Sequence, residues 1–518
     1  MKINLSNQKE LLLKKIIITI IFFFLFNLSF AQQFTDIHAK LYKLMNSSVA
    51  WIDYDDDADL DIFVCGEDIN NNIITMTYKN NKNDNFVFVN KKIQKICKGD
   101  VVCSDFDIDG DIDILLTGET DNNKIFSGIY SNINRKYFKY FKSGILPLKN
   151  SSMDVADFDR DGDDDIVICG EDNAGNFFSG VYRNQRNNKF INLNIPLIRI
   201  TNGAVTWGDY DNDGDFDILL TGEGYNENII TKIYKNDTNT NFSDIHANII
   251  GVKNSSVDWG DYDNDGDIDI LLTGEVNENY CITKIYRNNG NDIFSDIHAN
   301  LTGVKYGSCD WGDYDNDGDL DILITGKTEN NIIISKVYRN DRNNTFVEIN
   351  SGLTGVCYSS AQWGDYDNDG DIDILLSGLT DNCFLITKVY KNNLYNLQKK
   401  IIKQAYKPEK KVFNTKATVV KRILPKYYFV YSSCFCNPDP DYEKGLNLYI
   451  SNVLYTVKDY DLQIRFNKQI TSDKKIWSLI NQGYRVLGYK TKKEALKARL
   501  DVIKEYSSQN FEVHYINL

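Results

Sequence analysis

The sequence predicts an all-β, seven-bladed β-propeller followed by a small α+β domain, and three observations carry that prediction. The motif Asp-Tyr-Asp-Asn-Asp-Gly-Asp-x-Asp begins at Asp209, Asp261, Asp313 and Asp365, with variants at Asp53, Asp105 and Asp157, every step being 52 residues. Each unit divides into four short apolar segments, in the fifth Ser255 to Gly260, Ile268 to Gly274, Cys281 to Asn288 and Ile293 to Ile297, separated by Asn, Asp and Gly. Phe34 lies one step before the series Phe86 to Phe346, while the next step falls on Gln398. The chain therefore opens with an orphan fourth strand, Phe34 to Ile37, and its last unit lacks one. Supplying that strand from the N-terminus closes a ring and removes both exposed edges.

Ahead of the repeats, Lys2, Lys9, Lys14 and Lys15 precede the apolar run Ile16 to Leu28, with small residues at Ser29 and Ala31. This reads as a secretory signal over 1–31, the mature chain starting at Gln32. An uncleaved anchor is the alternative, disfavoured because the run is shorter than the roughly 20 residues that span a bilayer. No Cys follows the cut, so a lipid anchor there is not expected.

The repeats occupy 32–397. Gly66, Gly118, Gly170, Gly222, Gly274, Gly326 and Gly378 keep the same step, as do Tyr78 to Tyr390 and Asn80 to Asn392. Each unit reads as a four-stranded meander. The second segment, Asp-Ile-Leu-Leu-Thr-Gly, is apolar on successive residues, so both of its faces must be covered. A sheet covered on both faces by copies of itself is a propeller blade. A helical repeat fails for want of a 3.6-residue period, and a linear β-solenoid would leave the orphan strand unexplained.

The ten Cys of an exported chain invite a disulfide reading, but Cys65 and Cys169 stand where other units have Thr117, Thr221, Thr273 and Thr325, and Cys309 where one has Val257. That is the behaviour of a small buried side chain. Net charge is −15, which argues against nucleic acid as a partner.

Within each loop, Asp at positions 1, 3, 5 and 9 with Gly at 6 puts oxygens on alternate residues of a tight turn, the arrangement a hard cation of calcium's size takes. The candidate ligands are Asp53, Asp55, Asp57 and Asp61; Asp105, Asp107, Asp109 and Asp113; Asp157, Asp159, Asp161 and Asp165; Asp209, Asp211, Asp213 and Asp217; Asp261, Asp263, Asp265 and Asp269; Asp313, Asp315, Asp317 and Asp321; and Asp365, Asp367, Asp369 and Asp373. The residue at position 7, Asp267 for example, would add a backbone carbonyl. Up to seven Ca2+ ions are expected, with magnesium less suited because it keeps its water. Plain acidic hairpin turns are the bland alternative. Ala58 replaces the glycine in the first unit, so that site should be the weakest.

These loops, with the Trp-Gly-Asp-Tyr-Asp lead-in at Trp207, Trp259, Trp311 and Trp363, resemble the FG-GAP or VCBS repeat family, bacterial relatives of the integrin α-chain propeller, across 34–397. The resemblance implies extracellular propellers that hold calcium in blade hairpins and bind proteins or glycans. The expected function is thus an exported, calcium-binding module for adhesion or envelope interaction, secreted, at the cell surface or periplasmic, with no membrane span left after signal cleavage. The alternative is a polysaccharide lyase or hydrolase on the same scaffold. His38, His246 and His298 recur in a repeated segment, which reads as structure, and no nucleophile elbow, zinc-ligand His pair or phosphate loop is present.

Alternating strands put the Asp hairpins and the third-to-fourth turns on one face, so recognition is expected on the other, where Glu171 to Asn176, Glu223 to Asn228 and Glu275 to Tyr280 differ in sequence. Residues 398–425 read as a basic linker and 426–518 as α+β: strands Tyr427 to Ser432, Leu462 to Phe466, Tyr484 to Tyr489 and Phe511 to Ile516, helices Lys444 to Val457, Ser472 to Gln482 and Lys492 to Tyr506. Tyr-Arg-Val-Leu-Gly-Tyr followed by Thr-Lys-Lys-Glu-Ala resembles part of the SPOR domain, which implies peptidoglycan as a partner for this tethering domain.

Overall fold

The computed structural model describes residues 33–393 except 90, 91, 187 and 238–240, and beyond them only the strands Tyr427–Phe435, Leu446–Ser451, Leu454–Tyr455, Tyr484–Tyr489 and Phe511–Ile516. The signal segment, the linker, the strand expected at Leu462 to Phe466 and the helices expected at Ser472 to Gln482 and Lys492 to Tyr506 lie outside the described residues. The chain divides into two units, 1–407 and 408–518.

In the first unit the described residues form seven four-stranded antiparallel sheets. Blade 1 runs Met45–Ile52, Asp61–Glu67, Ile73–Asn80 and Phe86–Val89; blade 5 runs Lys253–Gly260, Asp269–Asn277, Tyr280–Asn288 and Phe294–Asp296. Blades 2, 3, 4 and 6 occupy 97–141, 149–192, 201–244 and 309–348. Blade 7 takes Cys357–Gly364, Asp373–Leu379 and Leu385–Asn392 from the end of the repeats and its fourth strand, Phe34–Asp36, from the beginning, with Phe34 opposite Asn392 and Asp36 opposite Tyr390.

The ring closes through side chains as well. Between blades 4 and 5, Trp259 stacks on Tyr210 at 6.4 Å while Phe294 of the fourth strand meets both rings at 5.8 and 6.1 Å. At the closure Phe34 takes the place of that phenylalanine, 5.9 Å from Tyr314 and 5.8 Å from Trp363.

The core lies between blades. Ile62, Phe63 and Val64 of one second strand are wholly buried, as are Leu219 and Ile233 of blade 4, which pack with Ile270 and Leu272 of blade 5. Each such side chain contributes roughly 1.5–3 kcal/mol only when its neighbour is in place, so blades stabilise one another and a single one has no core.

The recurring polar residues join the blades. Asn80 Nδ2 donates to the carbonyl of Tyr366 in the preceding blade at 2.8 Å, and Asn132, Asn184, Asn288, Asn340 and Asn392 do the same to Tyr54, Phe106, Tyr210, Tyr262 and Tyr314. Each Tyr of the Tyr78 series accepts a backbone N–H from the connection entering its own blade, Tyr42 N–H to Tyr78 Oη at 2.9 Å in blade 1. Glycine at 66 has a packing cause: the first strand bulges between Met45 and Ser48, and a Cβ on Gly66 would stand 2.8 Å from the Met45 carbonyl.

Inner strands have one edge facing the central channel, and side chains of the neighbouring blade cover it. Met153 N–H donates to Asp100 at 2.9 Å, Trp207 N–H to Asp154 at 2.8 Å, Trp311 N–H to Asp258 at 2.9 Å and Trp363 N–H to Asp310 at 3.2 Å. Gln362 and Ser360 serve Trp51 and Val49 in the same way. These partners satisfy donors that a closed ring would otherwise leave bare.

The second unit shows a sheet in which Tyr427–Phe435 pairs with Leu446–Ser451, Leu454–Tyr455 and Tyr484–Tyr489, and Leu446–Ser451 pairs in parallel with Phe511–Ile516. The helix expected over Lys444 to Val457 is corrected to two strands. Leu446, Leu448 and Ile450 alternate with Asn447, Tyr449 and Ser451, a period of two that fits a strand.

Candidate metal centres

The seven loops are built by hydrogen bonds from their own aspartates. In blade 2 both carboxylate oxygens of Asp105, at position 1, accept backbone N–H groups, from Asp109 at 2.9 Å and from Gly110 at 2.9 Å, and Asp109 Oδ1 accepts from Asp111 at 3.0 Å. Position 9 is fixed by the third strand: Asp113 Oδ1 accepts the N–H of Asn132 at 2.7 Å, as Asp61 and Asp269 accept from Asn80 and Asn288. The chain thus folds back on itself with position 6 in the left-handed region, Gly110 at φ 91° and Gly266 at 96°.

Carboxylate oxygens converge within 4.8 Å from Asp105, Asp107 and Asp113, from Asp157, Asp159 and Asp165, and from Asp209, Asp211 and Asp217. In blades 1 and 5 the converging sets are Asp53, Asp55 and Asp57, and Asp261, Asp263 and Asp265. The predicted ligands at positions 1 and 3 come together in all five, joined by position 9 or position 5. Oδ1 of Asp55, Asp107, Asp263, Asp315 and Asp367 and Oδ2 of Asp61 and Asp113 are buried without a hydrogen-bond partner. A buried acceptor with no donor is costly, and a cation seated among these oxygens removes that cost, so the residues present fit a metal ion.

Burial raises the position 9 carboxyls, Asp61 to about 7, Asp113, Asp165, Asp217, Asp269 and Asp321 to about 8, and Asp373 to about 9, with neighbouring loop carboxylates adding to the rise. A bound cation would compete with those protons.

The sequence reading overlooked the basic residue between the recurring Tyr and Asn of the third strand. Lys79 pairs with Asp55 and, at 3.0 Å, with Asp57; Arg287 with Asp263 at 3.2 Å and Asp265 at 2.7 Å; Lys235 with Asp211; Lys391 with Asp367. Arg183 stands 3.8 Å from Asp159, and Arg339 turns to Asp341. In blade 2 the residue is Ser131, which donates to Asp107 at 2.8 Å. The loops are less negative than their aspartates alone imply, and the Tyr-Lys-Asn or Tyr-Arg-Asn triplet, recurring at the repeat step, was the signal.

Two other acidic groups have structural employment. Asp258 and Asp310 hydrogen bond to each other in the channel, burial raising Asp258 to about 6 and Asp310 well above the carboxylate range. His38, His246 and His298 are exposed and sit 3.2–3.3 Å from Asp36, Asp244 and Asp296, their backbone N–H groups bonded to the same aspartates. The eight cysteines within 33–393 are free thiols, and of these only Cys383 is exposed. Among the described residues no helix is long and apolar enough to cross a membrane.

Residues 157–220 and 209–272 match the model of the FG-GAP-like repeat. No curated protein matches. Among solved structures, the chain is similar to a lectin of Aleuria aurantia in complex with alpha-methyl-L-fucoside, at 9% identity and TM-score 0.34 over 60% of this chain and 98% of that one. It is also similar to the sialidase of Trypanosoma rangeli in complex with the inhibitor DANA, at 11% identity and TM-score 0.35 over 65% and 59%. A third likeness is to the alpha-L-arabinanase of Penicillium chrysogenum complexed with arabinobiose, at 7% and TM-score 0.36 over 70% and 97%. With its Asp loops, its Asn and Tyr ties and its seven sheets in one register, the chain is a seven-bladed propeller carrying FG-GAP-like repeats.

Proposed function

We propose that this is an exported, calcium-stabilised binding propeller whose recognition surface is the face opposite the Asp loops, and whose partner is an extracellular glycan or protein. The observation that carries this reading is the uneven distribution of exposed apolar side chains. On the connections of the opposite face stand Tyr42, Ile69, Ile198, Tyr225, Tyr280, Ile332 and Phe384, against Ile108, Tyr137 and Ile293 in the turns of the Asp face. Exposed aromatic side chains on loops held by a rigid scaffold are what a recognition surface needs. Calcium is the cation whose ligand chemistry fits clustered carboxylates; its part here is to hold the hairpins. The test is capture from cell-surface extract with and without calcium, followed by exchange of 171–176 with 223–228. Altered binding on exchange supports the reading, and binding altered only by changes on the Asp face overturns it.

The Asp258–Asp310 pair favours a second reading, a polysaccharide-degrading enzyme, since two carboxyls of unequal proton affinity can divide acid and base roles. Both, however, already accept backbone N–H groups. Incubation with acidic and neutral polysaccharides separates the readings, because a binder leaves chain length unchanged. The tail, with about 23 Lys and Arg against about 11 Asp and Glu after residue 398, is read as a tether to anionic envelope polymers such as peptidoglycan. Salt should weaken retention of the whole chain on cell walls, and truncation at 398 should abolish it.

A further inference from the structure

The seven inner strands begin alike on the face opposite the Asp loops. The second residue of six of them, and the equivalent Tyr306 ahead of the shorter strand of blade 6, lie in the left-handed region: Asn46, Asn150, Asn202 and Asn254 at φ 46–51°, Lys98 at 46°, Tyr306 at 55° and Tyr358 at 47°. Asparagine accepts that conformation more readily than other side chains, and bulky aromatic residues resist it. Two adjacent blades nevertheless carry tyrosine there.

Those two blades are also where the seven-fold pattern breaks. The inner strand of blade 6 is cut to Cys309–Gly312, and what precedes it bonds sideways: Tyr306 N–H donates to the Asn254 carbonyl at 3.0 Å and Tyr358 N–H to the Tyr306 carbonyl at 2.6 Å. The chain thereby brings the two rings together, centroids 4.7 Å apart and planes 32° apart, with Tyr358 37% exposed and the Lys305 ammonium 5.7 Å from the Tyr306 ring.

Around this mouth lysines and glutamates pair, four against five, although the whole chain stands at −15. Lys98 lies 3.4 Å from Glu67 and 3.3 Å from Glu119; Lys149, Lys253 and Lys305 reach Glu171, Glu223 and Glu275 at 3.3, 3.3 and 2.8 Å. The Asn254 carboxamide is held by Glu275 at 2.9 Å. Below the mouth the channel walls are committed to the edge-covering hydrogen bonds of Asp258 and Asp310.

We propose that this mouth, at blades 5 to 7, binds an uncharged saccharide chain, with the Tyr306–Tyr358 pair as its stacking platform and Asn254 beside it as a hydrogen-bonding group. This deepens the reading of the opposite face as the recognition surface and rests on it. A sugar ring offers an apolar C–H face to an aromatic ring and hydroxyls to amides and carboxylates, which is the chemistry assembled here. Fixed lysine–glutamate pairs provide hydrogen-bonding atoms with little net charge, so an uncharged chain escapes the repulsion an acidic one would meet from the protein as a whole.

The experiment uses the full chain in calcium and a panel of uncharged oligosaccharides, of gluco-, manno-, xylo- and N-acetylglucosamine type, read by titration calorimetry. The expected result is binding of at least one type, weakened about tenfold or more by Tyr358→Ala and retained within about threefold by Tyr358→Phe, with the melting temperature of both variants unchanged. Saccharide binding indifferent to Tyr358→Ala overturns the proposal, as does a panel that gives no binding at all. Binding lost only on exchange of 171–176 with 223–228 overturns the mouth while keeping the face. Capture of a protein that depends on Tyr358 keeps the mouth and overturns the saccharide.

Discussion

In blades 4 to 7 the fourth loop residue is asparagine, and its side chain crosses to the next loop: Asn212 Nδ2 donates to the Gly266 carbonyl at 3.0 Å and to Asp267 at 2.8 Å, and Asn264, Asn316 and Asn368 repeat the pair of bonds onto blades 6, 7 and 1. In blades 1 to 3 the same position is Asp56, Ile108 and Arg160, at the same φ of 55–59°. There the ties are improvised. Arg135 spans Asp56 and Asp111 at 2.8 and 2.7 Å, Asn188 reaches back to Asp107 at 2.9 Å, and Arg160 meets Asp215 at 3.1 Å. The contrast separates two constraints. The backbone conformation at position 4 and the aspartates at positions 1, 3 and 9 are the same in all seven blades, whereas the bond between loops can be made by whatever donor lies near.

The same contrast appears where the first strand ends. A Cβ on Gly208, Gly260, Gly312 or Gly364 would come within 2.6–2.7 Å of the tryptophan of the next blade. Where that neighbour is Cys103 or Val155, the facing residue grows to Ile52 or Ser104. Volume is conserved across the joint, as close packing requires.

The largest expected effect is common to both groups. Extracellular calcium modules have Kd of about 10⁻⁴ to 10⁻³ M, so millimolar calcium contributes roughly 0.4 to 1.4 kcal/mol per site. Seven such sites acting together are comparable with a domain stability of about 5–15 kcal/mol. Excess chelator should therefore lower the melting temperature sharply, and added calcium restore it. The lysine and arginine partners sharpen this: Ser131→Lys in blade 2 should shrink the calcium response, and a chelated protein that melts unchanged would mean that the loops hold no metal of consequence.

Next in size is the joint between blades. Gly312→Ala forces its Cβ against Trp363 and should cost about 1–3 kcal/mol, whereas alanine is the native residue at that position in blade 3, Ala156 facing Trp207. Chemical denaturation of the two proteins measures it. A silent Gly312→Ala would show that the tryptophan can move and that the glycine is not a packing requirement.

Much of this was legible in the sequence. The step of 52 residues and the orphan Phe34 specified blade number and closure, because a missing strand and a spare one imply their pairing, and the Asp loops emerged in register. The ties were less visible. Lys79 and its equivalents vary between lysine, arginine and serine, so their shared position is hidden behind different chemistry. The channel carboxylates Asp100, Asp154, Asp258 and Asp310 fall at two different repeat positions, and only the curvature of the ring brings each to its neighbour's backbone. The Tyr306–Tyr358 contact is likewise a property of the ring.

Smaller again is a difference between channel positions. Asp258 and Asp310 share a hydrogen bond in blades 5 and 6, where blades 1 and 2 have Ala50 and Val102. Both carboxyls are raised by burial, so the folded protein binds protons that the unfolded chain, with Asp near 3.9, has released. Their stabilisation is fully present below the unfolded value and is lost as pH rises through the folded ones, about 6 for Asp258 and well above the ordinary carboxylate value for Asp310. Asp310→Asn keeps an amide donor toward Asp258 and removes one of the two titrations. Wild type should lose stability more steeply than the variant as pH rises from the ordinary carboxylate range through and beyond about 6, in calcium throughout. Parallel pH profiles would mean that Asp310 takes no part in the pH dependence.

The smallest effect concerns the loop that departs from the rest. Ala58 holds φ at 65°, in the region that disfavours a side chain, while its equivalents in blades 2 to 7 are glycines at 88–96°. The turn itself is kept: Ala58 N–H donates to Asp53 Oδ2 at 2.9 Å, as Gly110 N–H does to Asp105 at 2.9 Å, and Asp53, Asp55 and Asp57 still converge. A Cβ built on Gly110 meets nothing within 4 Å, so the cost of alanine is confined to the backbone. Ala58→Gly relieves that strain but frees the unfolded chain, leaving a net gain of about 0.5 kcal/mol. For a propeller of this size the melting temperature should rise by about 1 °C, in calcium and in chelator alike, because the ligands are already placed. A gain seen only in calcium would show instead that Ala58 distorts the site. In that case blade 1, and not the backbone alone, limits how many ions the ring holds.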